Sequence, residues 1–226
     1  MVFETIIKGR KKVAKGTCEI TFKRPEKFVF KAGQYIQIAI PELLSPDLRG
    51  NSRLFSVTSS PDDLENIRVV FRVSTSGFKQ TLVSMPVGAT VQIEQAAGSF
   101  VLPQSPKQQQ IFVAGGVGIS PFMSYFNQEN TPFEKGQTTL FYGNQNEESA
   151  AYVTELRAFA KRYQSFSLQE LYERPSSEFF RRNAQMYKDA TWWVVGPPAM
   201  VGVVVNGLQL GGVDQNNIIT EPFEGY

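Results

Sequence analysis

The stretch Ile111-Phe112-Val113-Ala114-Gly115-Gly116-Val117-Gly118-Ile119-Ser120-Pro121 decides the fold. Its four leading apolar residues read as a strand covered on both faces, as in a parallel sheet. The glycines after it allow a backbone to approach an anionic ligand. Pro121 suits a first helical turn, where its missing N–H leaves nothing unsatisfied. Strand, glycine turn and helix in this order hold a pyrophosphate against the N–H groups and positive end of the helix. The common G-x-G-x-x-G pattern has glycine where Pro121 stands, so the segment also reads as an ordinary glycine-rich turn.

Downstream of this stretch the pattern is uniform. Strands are predicted over 138–142, 166–172, 192–195 and 218–220, and helices over 148–162, from Ser176 or Ser177, and from Ala199. Strands alternating with helices imply a parallel sheet of the dinucleotide-binding kind. The loop Val195-Gly196-Pro197-Pro198-Ala199-Met200 ends one of these strands. It falls on the same sheet edge as the glycine turn, where α/β sheets bind ligands, although it also reads as a plain strand-to-helix connection.

Upstream the period changes to two. Cys18, Ile20 and Phe22 alternate with polar neighbours, as do Ile36, Ile38 and Ile40, then Ile67, Val69, Phe71 and Val73, and finally Val91 and Ile93. Turn signals at Lys31-Ala32-Gly33, 41–51, Ser60-Pro61-Asp62-Asp63 and Pro86-Val87-Gly88 separate them, which predicts an antiparallel β-barrel. A short helix opens at Gly77 and runs through Gln80-Thr81-Leu82-Val83. The basic run Lys8, Arg10, Lys11, Lys12 and Lys15 reads as a solvated hairpin edge. Residues 103–109 are polar and proline-bearing without period, so the boundary is placed between a barrel domain, 1–104, and an α/β domain, 105–226.

Composition narrows the chemistry. The 226 residues, 42% hydrophobic and 19% charged, suffice for two domains with their own cores. A net charge of +2 argues for neither nucleic acid nor a membrane surface. No apolar stretch approaches the roughly 18–20 residues of a membrane span, and Met1-Val2-Phe3-Glu4 lacks a signal pattern, so the expected location is cytoplasmic. The single cysteine, Cys18, forms no internal disulfide and holds no iron–sulfur cluster. Without histidine there is no Ser–His–Asp triad, Cys–His pair or His-ligated metal. Such a chain either only binds or takes its chemistry from a cofactor.

Two segments of the barrel half suit such a cofactor. In Arg53-Leu54-Phe55-Ser56, a guanidinium is available for phosphate, a ring for an aromatic face and a hydroxyl for a ring nitrogen, although the segment also reads as a strand entering a turn. Gly77-Phe78-Lys79-Gln80 offers a helix N-terminus suited to phosphate.

Taken in order, these segments resemble the ferredoxin–NADP reductase superfamily, whose members join an FAD-binding barrel to a pyridine-nucleotide domain. The resemblance covers nearly the whole chain. Arg53-Leu54-Phe55-Ser56 is similar to the family's R-x-Y-S, with Phe55 in the tyrosine's place and one hydroxyl fewer. Phe71-Arg72-Val73 and Gly77-Phe78-Lys79-Gln80 resemble the segments around the flavin and its pyrophosphate. Gly98-Ser99-Phe100-Val101-Leu102-Pro103 is similar to G-x-F-x-L-P, and residues 115–121 to G-G-x-G-I-T-P, with Ser120 for threonine. Phe141-Tyr142-Gly143-Asn144 and Glu155-Leu156 resemble the segment that approaches the adenosine ribose. Gly196-Pro197-Pro198-Ala199-Met200 resembles the G-P-P-x-M loop beside the nicotinamide; Val195 stands where the family often has cysteine.

The resemblance implies an enzyme that moves a hydride from NADH or NADPH onto FAD and passes electrons to a ferredoxin, a flavodoxin or an oxygenase component. It implies Ser56 at flavin N5, Phe55 against the ring, and Leu54, Phe71, Arg72 and Val73 around it. Arg53 and the N–H groups of Gly77, Phe78, Lys79 and Gln80 fall to the FAD pyrophosphate. The nucleotide falls to Gly115, Gly116, Val117, Gly118, Ser120, Pro121, Gly143, Asn144, Gly196, Pro197, Pro198 and Met200. Ser120 is shared with the flavin. The end, Glu221-Pro222-Phe223-Glu224-Gly225-Tyr226, resembles members that finish in an aromatic stacked on the flavin, which implies that place for Tyr226 and a carboxylate near N5 from Glu224 or Glu221. A reductase that uses flavin as a dissociable substrate, and a non-enzymatic nucleotide-sensing subunit, are the two other readings. After Tyr142 the chain reads Gly143-Asn144-Gln145-Asn146-Glu147-Glu148, two carboxylates and no cation, which favours NADH; Arg174, Arg181 and Arg182 are the cations that argue for NADPH.

Overall fold

Six antiparallel strands, β1 (Val2–Ala14), β2 (Thr17–Lys23), β3 (Tyr35–Ala39), β4 (Ser52–Ser56), β5 (Asn66–Arg72) and β6 (Thr90–Glu94), are ordered β4-β3-β6-β1-β2-β5. A bridge from Val57 to Val69, and the Thr58 N–H donating to the Arg68 carbonyl at 2.8 Å, join the two outer strands. The sheet thereby closes into a barrel, which removes the edges an open sheet would expose. The alternation read from sequence supplies the inner layer: Ile20, Phe22, Ile36, Ile38, Ile67, Val69, Val91 and Ile93 meet inside, with Cys18 among them. Each fully buried Ile or Phe contributes roughly 1.5–3 kcal/mol. Helix α1 (Gly77–Ser84) adds Phe78 and Leu82 to this core.

The computed structural model describes residues 1–102, 108–129 and 137–223. It divides into two units, Met1–Leu102 with Ser120–Glu129, and Pro103–Ile119 with Asn130–Tyr226. The boundary expected at 104/105 lies outside the described residues. Helix α2 (Ser120–Phe126), expected in the α/β domain, packs instead with the first unit. Phe122 meets Phe100 with centroids 6.0 Å apart, and the Ser124 hydroxyl donates to the Ser59 carbonyl at 2.7 Å.

The basic run forms the solvated hairpin edge read from sequence: β1 pairs with β6 only over Val2–Ile6, and its remainder pairs with β2 alone, with Lys8, Arg10, Lys11 and Lys12 exposed. Register shifts between Ile7 and Gly9 and between Lys12 and Ala14 break its alternation, which hides the strand from a period-two reading.

In the second unit β7 (Gln110–Gly115), β8 (Thr138–Gly143), β9 (Phe166–Leu171), β10 (Thr191–Gly196) and β11 (Ile218–Pro222) are all parallel, ordered β11-β10-β7-β8-β9. Every residue of β7 is buried, as its unbroken apolar run requires. Helices α3 (Val153–Arg162), α4 (Ser177–Met186) and α5 (Pro198–Leu210) complete the unit. The helix expected over 148–162 is two pieces, because Tyr152 takes a left-handed φ of 60° between the turn Glu147–Ser149 and α3.

Candidate functional site

The second unit presents its two glycine-bearing loops side by side. β7 and β10 are neighbours, with Ala114 level with Val195, so the 3₁₀ turn Gly116–Ile119 and the loop from Gly196 leave the same sheet edge. Gly116 has φ +54°, and a Cβ there would enter open space. At Gly118 a Cβ would lie 2.5 Å from the Val195 carbonyl oxygen and 3.1 Å from Gly196 Cα, so only glycine allows the two loops to touch. Met200, from the first turn of α5, packs against Gly115. Pro197 caps that helix and Pro198 opens it. Gly118→Ala is therefore expected to destabilise this unit by about 1–3 kcal/mol, as overpacking against backbone does, and to abolish pyridine-nucleotide binding. Urea unfolding followed by a binding titration checks both; an unchanged midpoint with wild-type affinity refutes the account.

Next along the edge, β8 carries Gly143 level with Gly115, followed by Asn144. The Asn144 backbone N–H donates to the Leu171 carbonyl at 2.9 Å. Both polar atoms of its carboxamide are buried and have no hydrogen-bond partner among the described residues. Buried amides are seldom left so, and a ribose or amide group from a ligand would satisfy this one. Arg157 of α3 lies on two carboxylates, Glu170 of β9 (2.7 and 2.8 Å) and Glu147. The hydrogen bonds that Arg157 donates to Glu170 and Glu147 hold its guanidinium firmly protonated. Arg181 and Arg182 both pair with Glu178, and Arg174 is exposed. The Glu147–Arg157–Glu170 cluster has no sequence motif; the short β8–β9 crossover alone brings it together.

In the first unit, Arg53 of β4 and Asp47 form an ion pair whose side chains are only 9% and 7% exposed. One arm of the Arg53 fork donates to the carbonyls of Arg49, Gly50 and Ser52, and the guanidinium lies 5.3 Å from the Phe78 ring centre. Asp47 accepts from the Ser76 hydroxyl at 2.6 Å, the Phe78 N–H at 3.0 Å and the Arg49 N–H at 3.0 Å. These bonds, the Ser76 hydroxyl foremost, hold its carboxyl far below the usual carboxylate range. Lys79 is lowered by burial first and then by the positive charges of Arg49 and Arg53, with Asp47 opposing. Gly77 is pinned, since a Cβ there would lie 2.4 Å from the Ser45 carbonyl oxygen. Ser76 caps α1 by accepting from the Lys79 N–H, and Gln80 donates its side-chain amide to the Ser74 carbonyl. Asp47 and Ser76 are absent from the sequence-read site. A serine before a helix is a legible cap signal; nothing marks Asp47 as its partner.

Phe55 corrects an expectation. Its ring packs at 5.4 Å from Phe71 and 6.0 Å from Phe78 in the barrel core and is 7% exposed, so it supports the strand rather than offering a free face. Strand alternation turns Leu54, 57% exposed, and Ser56, buried, to the opposite side. Phe71 is likewise core, with Arg72 and Val73 half-buried beside it. Val117, Ser120 and Pro121 are buried. Glu221, at the end of β11 and level with Val195, has one carboxylate oxygen buried without a partner among the described residues; burial pushes its carboxyl up to about 7. Glu224 and Tyr226 lie outside the described residues.

The described residues thus form a closed antiparallel barrel and a parallel five-stranded sheet whose glycine and G-P-P loops interlock on one edge. Residues 112–206 match the family model of the oxidoreductase NAD-binding domain. In fold the chain is similar to ferredoxin–NADP reductases. It is 25% identical over 219 residues to the ferredoxin reductase component of 3-ketosteroid-9-alpha-monooxygenase from Rhodococcus rhodochrous, covering 92% of this chain and 61% of that protein. To methane monooxygenase component C of Methylosinus trichosporium it is 30% identical over 133 residues, 58% of this chain and 37% of that one. It therefore spans less than two thirds of either relative. Among solved structures, a ferredoxin NADP+ reductase from Neisseria gonorrhoeae with bound FAD and NADP superposes with a TM-score of 0.84 at 19% identity, covering 98% of both chains. Among the described residues no helix is long and apolar enough to cross a membrane.

Proposed function

We propose that this chain is the reductase module of an electron-transfer system, taking a hydride from NADH onto FAD and passing electrons to a protein acceptor such as a ferredoxin or an oxygenase component. The observation that carries the reading is the paired glycine and G-P-P loops on one sheet edge, with the unsatisfied Asn144 carboxamide beside them. The relatives named as reductase components support the direction of flow and the kind of acceptor. FAD and the nicotinamide, when bound, supply the redox chemistry that no side chain here provides. In the first unit the Ser56 hydroxyl would donate to flavin N5, Leu54 would offer apolar surface, and Arg53 and Lys79 would set a positive field for the phosphates. In the second, the N–H groups of the 115–118 turn would hold the nucleotide pyrophosphate, Asn144 would bind on the ribose side, and the loop from Gly196 to Met200 would orient the nicotinamide.

The absorption spectrum of the purified protein, followed by anaerobic titration with NADH and NADPH, tests this. A yellow protein with stoichiometric FAD, bleached by nucleotide, is the expected result. A colourless but active protein identifies a reductase of free flavin, and no diaphorase activity leaves a nucleotide-sensing subunit.

The nucleotide choice is a separate expectation. The Arg157 fork is already engaged by Glu147 and Glu170, and Arg181 and Arg182 are engaged by Glu178. A 2′-phosphate would meet two carboxylates and an already paired guanidinium at the β8–β9 edge. NADH is expected to exceed NADPH in kcat/KM by about tenfold, equivalent to 1.4 kcal/mol. A preference for NADPH that Arg174→Ala abolishes would overturn it.

A further inference from the structure

The anion-binding end of α1 already holds an anion from the chain itself. Asp47 accepts from the Ser76 hydroxyl and the Phe78 N–H, and pairs with Arg53. These include the donors, Arg53 and the first N–H groups of α1, that a flavin phosphate would use. Lys79 lies within electrostatic reach of both Arg53 and Asp47, so a phosphate that approached Arg53 would be drawn by it as well. Geometry forbids sharing, however. The Phe78 N–H is a single donor 3.0 Å from Asp47, and a phosphate on it would lie against the carboxylate. Either anion can hold the site; both together repel.

We propose that Asp47 is a specificity-determining residue that competes with the phosphates of the flavin for Arg53 and the α1 N-terminus. The inference rests on the flavin-binding reading above. Binding FAD or FMN requires the carboxylate to swing away, whereas riboflavin, with no phosphate, leaves it seated. Asp47 thus lowers affinity for phosphorylated flavins selectively.

The test is the affinity of the full chain and of Asp47→Asn for FAD, FMN and riboflavin, followed by flavin fluorescence. Asparagine keeps an acceptor for Ser76 and Phe78 and removes the charge. FAD and FMN are expected to bind about tenfold more tightly to the variant, with riboflavin unchanged. Weaker FAD binding, or an equal shift for all three, overturns the proposal and makes Asp47 a brace that orients Arg53. Absence of flavin binding by the wild-type chain removes the flavin reading itself, a distinct outcome that takes this inference with it. Hydrogen exchange on the wild-type protein guards against a variant that folds poorly. FAD is expected to speed exchange at the Arg49 amide, which donates to Asp47, and riboflavin to leave it unaltered. Unchanged Arg49 protection at saturating FAD overturns the proposal independently.

Discussion

Ser56→Ala is expected to slow reduction of bound flavin by NADH about 10²-fold, the usual loss when a donor aimed at developing charge is removed. Ser56 ends β4 on the side opposite Phe55 and is buried, so the strand sets the direction of its Cβ. A group at N5 acts mainly as that atom gains charge, so the effect falls on the rate and leaves nucleotide affinity nearly unchanged. Ser56→Thr retains the hydroxyl, suits a strand, and is expected to recover most of the rate. Rapid-mixing reduction decides between the readings. A loss of nucleotide affinity matching the loss of rate would show that Ser56 only supports the barrel.

Glu221→Gln is expected to abolish a pH dependence of stability centred between pH 4.5 and 7. Burial pushes the Glu221 carboxyl up to about 7, against an ordinary value of 4.5. Below pH 4.5 the group is protonated folded and unfolded, and contributes nothing. Between the two values the native state binds more protons, so stability falls as pH rises, by 1.36 kcal/mol per unit. Above pH 7 the accumulated penalty levels off at about 3 kcal/mol. The glutamine variant carries no charge to bury, so its urea midpoint is expected to match the wild type near pH 4.5 and exceed it at pH 8. Parallel pH profiles for the two proteins would mean that Glu221 is paired or solvated in the native state.

Several features were legible because they depend on local pattern. The period of two in Ile36, Ile38 and Ile40 places β3 facing inward whatever its neighbours, and the run from Ile111 to Ala114 requires cover on both faces. The glycine turn was legible for the same reason, since a close approach leaves no room for a Cβ. β1 escaped because two register shifts destroy its period. α2 was assigned to the wrong half because its helix signal carries no information about which core its buried face joins.

By itself the sequence determined the two kinds of sheet and the order of the motifs, and it left only a binding role or a borrowed cofactor, since each rests on residue type and short spacing. Only the tertiary structure decided which side of β4 faces the core, packing Phe55 against Phe71 and turning Leu54 and Ser56 to the opposite side. It alone set the Gly118 backbone against Val195, closed Glu147 and Glu170 on Arg157, and seated Asp47 on α1, 31 residues from Phe78. The physical reason is that burial and charge pairing depend on which segments the chain brings together, and spacing along the sequence does not encode that.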